Sequence, residues 1–498
     1  MMPPDFEVAI IGAGMGGVGL GMRLLKAGEQ SFVILERAER LGGTWRDNSY
    51  PGCCCDVPSH LYWFDFDEDQ PDWSRLFAPQ AEILSHMEAA VERAGLNPHI
   101  RLSTEVTDAV WDEGALVWRV TTKDGTRFTA RMLVSACGQL GQPSFRNIPG
   151  RERFKGVSFH SARWRHDVDL TGKRVICIGS GASAAQIVPE VAKVAGHLTV
   201  IQRSAPYVIP REDKPYTEEE RALFRSDPEK LRESRAAIFA DLEQRFETLK
   251  PGSEGHVAGE QLSLAHLEAQ ISDPELRAKL TPNYTLGCKR PVISDDYLPT
   301  FTRPNVSLVT EAVESVEETG VRTSDGALHE AEVIIFATGF ESLKFLDGIN
   351  IRGLDGRSLH DDAWADTAKA YLGMTVTGFP NFFILYGPNT NLNHNSIIAM
   401  FDAQFEYVVE ALERLKRAPE TAFDLKADTL RSFNQSLQQG LATSAFVSGC
   451  NSWYRDPEGR IVTNWWGTVS AYRQQASHFN PEDYEVIESP IVLAGDEG

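Results

Sequence analysis

Cysteine is scarce and poorly placed for redox chemistry: seven in 498 residues, irregularly spaced, with no Cys-x-x-Cys pair. That argues against a disulfide framework and for a reduced, cytosolic chain. Basic residues are outnumbered, 49 Lys and Arg against 70 Asp and Glu, for a net charge of −21. Such a balance excludes the basic surface that nucleic acid requires. No apolar run approaches the roughly 18 residues of a spanning helix, so no transmembrane segment is expected. The opening residues, MMPPDFEVAIIGAG, lack the basic n-region and cleavage site of a secretory leader, which again places the chain in the cytoplasm. His394 invites a metal reading, but no second ligand stands at a suitable spacing, so no metal is expected. What remains is ordinary globular composition, 42% apolar and 24% charged, in a chain long enough for two or three domains.

Two stretches carry nucleotide chemistry. FEVAIIGAGMGGVGLGMRLLKAG starts with an apolar run from Phe6 to Ile11, then sets Gly12, Gly14 and Gly17 in GxGxxG spacing before a helical pattern. A second apolar run, SFVILE, ends at Glu36, 19 residues after Gly17. Glycines there permit a tight turn and close backbone approach to a pyrophosphate, and the acid can accept from ribose hydroxyls. The unit recurs in GKRVICIGSGASAAQIVPEVAK, with Gly179, Ser180, Gly181 and Ala184 after the strand VICI. Its next strand, LTVIQRS, ends in Gln202, Arg203 and Ser204. A base and a hydroxyl at that position suit a 2′-phosphate. An acid after the first unit and a base after the second predict FAD, then NADPH. The plainer alternative for Arg203 is a solvated surface arginine.

MLVSACGQL (132–140) and EVIIFATGF (332–340) are apolar strands ending in small residues and glycine, where chain can cross between domains. The expected fold is α/β, with two Rossmann-like dinucleotide-binding domains and the NADPH domain inserted into the FAD domain. Residues 1–145 and 340–498 form the expected FAD domain, and 146–339 the NADPH domain. Inside the latter, about 215–285 predicts a helical subdomain, with Leu231, Ile238, Leu242 and Phe246 on one packing face.

The stretch GGTWRDNSYPGCCCD (42–56) raises the cysteine question directly. Disulfide reductases of related architecture set a redox cysteine pair directly after Gly-Gly-Thr. Here Trp45 and Tyr50 fill both positions, and the adjacent Cys53, Cys54 and Cys55 suit packing. Between the nucleotide units, Phe154, Gly156, His160 and Trp164 form FxGxxxHxxxW. This resembles the fingerprint of Baeyer–Villiger monooxygenases, flavin enzymes that insert oxygen beside a carbonyl. Ser161 and Arg165 depart from it, standing where threonine and proline or aspartate are usual. The run with Trp45, Tyr50, Pro51, Gly52 and Asp56 resembles the family's second fingerprint, and TLGCKRPVISDDY the segment bearing its active-site arginine, here Arg290.

The resemblance implies FAD and NADPH as cofactors, and O2 with a ketone or aldehyde as small-molecule substrates. The product is an ester or lactone formed through a flavin C4a-peroxide. Arg290 would stabilise the anionic charge of that chemistry and Asp56 would hold the guanidinium. Cofactor contacts are implied for Thr44, Trp45, Asp56, Tyr62, Val106 and Ser180, and for Lys289 beside Arg203 and Ser204. His160 would couple NADP binding to domain movement. Asn389, in GFPNFFILYGPNTNLNHNSIIAM, would sit at a turn beside the flavin, and Trp453 in a loop over NADP. Rival readings stay open: oxygenation of nitrogen or sulfur, an NADPH oxidase or reductase, and a redox-sensing flavoprotein. The oligomeric state and the natural ketone have no signature in the sequence.

Overall fold

The computed structural model describes residues 3–450 and 452–489. Its largest sheet is built around β1 (Phe6–Ile11), whose last four residues are buried, as expected of a strand covered on both faces. The chain then turns at Gly12 and enters α1 (Met15–Lys26). It returns as β2 (Phe32–Leu35), parallel to β1 with Val8 opposite Phe32. On the other side of β1 lies β3 (Arg127–Ser135), also parallel, with Val8 opposite Met132. Val106–Asp112 and Val117–Thr122 extend the sheet antiparallel, two late strands, Asn350–Arg352 and Phe382–Ile384, join it, and the short Ile100–Arg101 forms the edge beside β2.

A second sheet has five parallel strands, all from residues 157–336. At its centre β4 (Arg174–Ile178) lies between β5 (His197–Ile201) and β6 (Val333–Phe336). The helix α2 (Ala182–Val194) links β4 to β5, repeating the strand, glycine turn and helix of the first unit. The fold is therefore α/β with two Rossmann-like units, one sheet interrupted in sequence by the other. The chain crosses between them twice, and the crossings touch: Ser144 N–H donates to the Gly339 carbonyl and Glu341 N–H to that of Gln142.

Residues 215–285 fold as helices, as their apolar spacing predicts. The longest two are α3 (Pro228–Gln244) and α4 (Glu254–Gln270). Asp227 caps α3, accepting from the Glu229 and Lys230 amides. Leu231, Leu242 and Phe246 are buried, and Ile238 packs partly covered beside them. Two charged residues on α3 fix it to the rest of the chain. Arg235 donates to the His60 and Trp63 carbonyls at 3.0 and 2.8 Å and pairs with Asp65. Glu243 accepts from the Val469 and Ser470 amides, capping the helix Val469–Ala476, and from Asn395.

The expectation of a chain without disulfides needs correction. Cys288 and Cys450, 162 residues apart, are bonded to each other. A link over that distance leaves no spacing pattern, which is why sequence reading missed it. Among the described residues no helix is long and apolar enough to cross a membrane, and no cluster of His, Cys, Asp or Glu could hold a metal.

Candidate active site

The first glycine turn is sterically required. Gly12 has φ +106, and a Cβ there would lie 2.8 Å from the Ala136 carbonyl oxygen. A Cβ on Gly17 would meet the Gly12 oxygen at 1.9 Å, so α1 starts tight against its own turn. Gly43 comes close to Gly14, backbone against backbone, which brings the loop with Thr44 and Trp45 to the mouth of the turn. Glu36 is buried there; its carboxylate accepts from the Ala13 amide at 2.9 Å, from Ala38 and from Arg46. Val106 begins a strand nearby and is buried in the core, joined to this corner by the Thr104 amide on the Glu36 carbonyl. Trp45 donates its indole N–H to the Tyr62 hydroxyl, 3.1 Å away.

Asp56 and Arg290, 234 residues apart in sequence, meet. Arg290 donates from Nη2 and Nε to Asp56 Oδ2 at 2.7 and 3.0 Å, and from Nη1 to the Leu392 carbonyl at 2.8 Å. The Asp56 carboxylate pushes the Arg290 pKa further up, against the opposing effect of burial, so the guanidinium stays charged. Two tyrosines that sequence reading missed lie close to it, Tyr386 and Tyr454. Their hydroxyls donate to Asn391 and Asn393, which bracket Leu392. Aromatic residues dispersed along a chain give no signal of such convergence.

A second charged group gathers at the end of β5. Lys289 Nζ donates to Ser204 Oγ at 2.6 Å, and Ser180 Oγ to the Ser204 carbonyl at 3.0 Å. Burial, then the nearby Arg203 and Arg146, holds the Lys289 pKa below its ordinary value. Three cations with mutually unfavourable fields make a site that an anion relieves. Arg146, in the linker, was not among the expected residues; it donates to the Thr338 carbonyl. Arg203, Ser204 and Lys289 line an open cavity of about 400 Å³ with Tyr284, Ser448 and Cys450. Gly179, at φ +126, leaves only 2.2 Å for a Cβ against the Ala337 oxygen, while the space at Gly181, where α2 begins, is open. Ala184 is fully buried beneath.

His160 sits where the two crossings meet. Its ring packs edge-on against Phe145 and Phe340, one from each crossing, with centroids 5.5 and 5.7 Å away. Nδ1 accepts from the Ala162 amide, and burial lowers the pKa to about 4, keeping the ring neutral. Trp164 packs on Phe159. Arg165 is on the surface and pairs with Asp167, so its departure from the fingerprint reaches nothing in the site. The Tyr50–Pro51–Gly52 turn lies against α2: Tyr50 donates to Gln186, and a Cβ on Gly52 would meet the Gln186 oxygen at 2.6 Å.

Not every expected residue is free to meet a ligand. Asn389 donates both amide hydrogens to the Ile461 and Asn464 carbonyls, a bracing role. Trp453 is half-buried and packs edge-on against Tyr454 with centroids 4.6 Å apart, its carbonyl accepting from Ser342. The cysteine triplet is inert: burial pushes the Cys53 thiol up to about 12 and raises Cys54 and Cys55 as well.

Residues 9–222 match the family described as pyridine nucleotide-disulphide oxidoreductase. A Baeyer–Villiger monooxygenase of Pseudomonas aeruginosa is 39% identical, over 99% of this chain and 93% of its own length. One from Streptomyces coelicolor is 41% identical, over 98% and 94%. Among solved structures, an oxidized steroid monooxygenase bound to NADP superposes with a TM-score of 0.85 at 30% identity, over 97% of this chain and 99% of that one. Cyclohexanone monooxygenase from Rhodococcus sp. Phi1 bound to NADP+ gives 0.86 at 28%, over 98% and 100%. On full-length similarity of this kind, the chain belongs to the Baeyer–Villiger monooxygenases.

Proposed function

We propose that this chain uses FAD, NADPH and O2 to insert one oxygen atom beside the carbonyl of a ketone or aldehyde, giving an ester or lactone. The observation that carries the reading is Arg290, fixed on two sides by Asp56 and the Leu392 carbonyl. We place FAD in the first unit, residues 1–145 and 340–498, and NADPH in the second, residues 146–339, in a cytosolic protein.

The residues fit both groups. Gly12, Gly14 and Gly43 leave backbone room for a pyrophosphate at the α1 N-terminus, next to Glu36, Thr44, Trp45, Tyr62 and Val106. Gly179, Ser180, Gly181 and Ala184 offer the same cradle at α2. Arg203, Ser204 and Lys289 are suited to a 2′-phosphate, whose charge relieves the crowding of cations there. When bound, NADPH supplies a hydride and FAD passes its electrons to oxygen.

The chain's own part is electrostatic. Arg290 lowers the energy of negative charge on the attacking oxygen and then on the former carbonyl oxygen of the substrate, without giving up a proton. Asp56 and Leu392 hold the guanidinium fork in place, so little reorganisation accompanies the reaction. His160, neutral between the crossings, links the placement of NADPH to the relation of the two units. The stoichiometry is ketone, NADPH, H+ and O2 giving ester, NADP+ and water.

The test is turnover of a cyclic ketone under 18O2. One lactone carrying one labelled oxygen should form per NADPH. NADPH oxidised with hydrogen peroxide as the only product would contradict the reading. Oxygenation of an amine or a thioether with the ketone untouched would move the chain to the nitrogen- or sulfur-oxygenating class.

A further inference from the structure

The Cys288–Cys450 bond joins two segments with different parents. Cys288 is fully buried and directly precedes Lys289 and Arg290. Cys450 is half-buried, and with Ser448 and Gly449 it forms the wall of the cavity facing Lys289. The first segment belongs to the run that supplies the second sheet, the other to the C-terminal part that follows the first sheet. The Cys450 amide donates to Cys288 Sγ, and the turn at Gly287, φ +83, packs on Ala445, where a Cβ would lie at 3.1 Å.

We propose that Cys288–Cys450 is a redox modification site: a dithiol reductant opens the bond and thereby loosens the 2′-phosphate end of the NADPH site. The proposal rests on the placement of NADPH given above. In the step, a reductant thiolate attacks Sγ of Cys450, the less buried of the two cysteines and a lining residue of the cavity. The S–S bond breaks, Cys288 leaves as a thiolate and takes up a proton. The second thiol of the reductant then resolves the mixed disulfide and Cys450 is released as a thiol. Two electrons and two protons enter the protein, and the dithiol becomes its cyclic or linked disulfide. Once the tie is broken, the Ser448–Cys450 wall must be ordered at each binding event, a cost the closed bond removes in advance.

The other five cysteines do not compete for this role. Cys53, Cys54, Cys55 and Cys177, whose thiols burial raises, and the exposed Cys137 are all unpaired. Opening the bond therefore has a countable signature: five free thiols per denatured chain before reduction, and seven after.

The experiment uses the flavin-loaded enzyme, with and without dithiothreitol. Thiols are counted after denaturation, and NADP+ affinity is measured by calorimetry. Reduction should raise the count from five to seven and weaken NADP+ binding about tenfold, with flavin content little changed. Binding of NAD+, which lacks the 2′-phosphate, should not respond. Cys450→Ser should show the weakened NADP+ affinity from the start and ignore dithiothreitol. Seven thiols without reduction, an unchanged NADP+ affinity at seven, or equal weakening for NAD+ would each overturn the proposal. Failure of the underlying placement looks different: Arg203→Ala would then leave NADP+ affinity as it was.

Discussion

At the residue scale, we propose that the charges around Lys289 decide cofactor choice. Arg203 and Arg146 press on a lysine that is already partly desolvated. Arg203→Ala should therefore raise KM for NADPH about tenfold, the loss of one charge-assisted contact, while KM for NADH stays the same. Steady-state kinetics with both nucleotides checks this; equal rises would mean that Arg203 serves only local structure. Arg203 and Ser204 were read from the strand end that follows the second glycine turn, and Lys289 from its place beside Arg290 in the family-like segment. Arg146, Tyr386 and Tyr454 were not. They come from a linker and two separate late segments, and only the folded chain brings them near the site.

At the scale of elements, α3 is the tie between the helical insertion and the first unit. Glu243 caps the helix Val469–Ala476 through two amides, and Glu243→Gln weakens both bonds by removing the charge. A loss of about 1–2 kcal/mol is expected, read as a lower midpoint in urea with unchanged flavin content. His60 sits under the same insertion, its ring stacked on Tyr216 at 4.9 Å and its Nδ1 2.8 Å from Ser234. Burial lowers its pKa from 6.5 to about 4. The unfolded chain thus takes up a proton near pH 6.5 that the folded chain refuses until about pH 4. Its contribution to stability is full above pH 6.5 and is lost as the pH falls toward 4. Melting temperatures of His60→Gln should consequently fall less between pH 7 and 5 than those of the parent; parallel slopes would contradict this. The helices themselves were readable from apolar spacing, whereas their anchors, Arg235 and Glu243, looked like ordinary surface charges until their partners were in place.

For the whole molecule, the two nucleotide units touch at the Tyr50–Pro51–Gly52 turn, around His160 and through Cys288–Cys450. The paired glycine motifs announced the two units, and the apolar strands at 132–140 and 332–340 announced the crossings. The disulfide had no such announcement. Gly52 has φ +79 and faces the Gln186 oxygen, so Gly52→Ala strains the turn and pushes α2 away. Flavin reduction by NADPH should slow about tenfold in that variant, since hydride transfer is sensitive to placement, while reduction by dithionite keeps its rate.

We propose that Arg290, held by Asp56, stabilises the charge of oxygen transfer and not the delivery of electrons. Anaerobic reduction of Arg290→Ala, followed by mixing with oxygen and a cyclic ketone, separates the two. Flavin reduction by NADPH should persist within a few-fold, while lactone falls at least about a hundredfold, the loss of roughly 3 kcal/mol of stabilisation, and hydrogen peroxide replaces it. Lactone at the parental rate, or loss of flavin reduction in step with lactone, would rule out this role for Arg290.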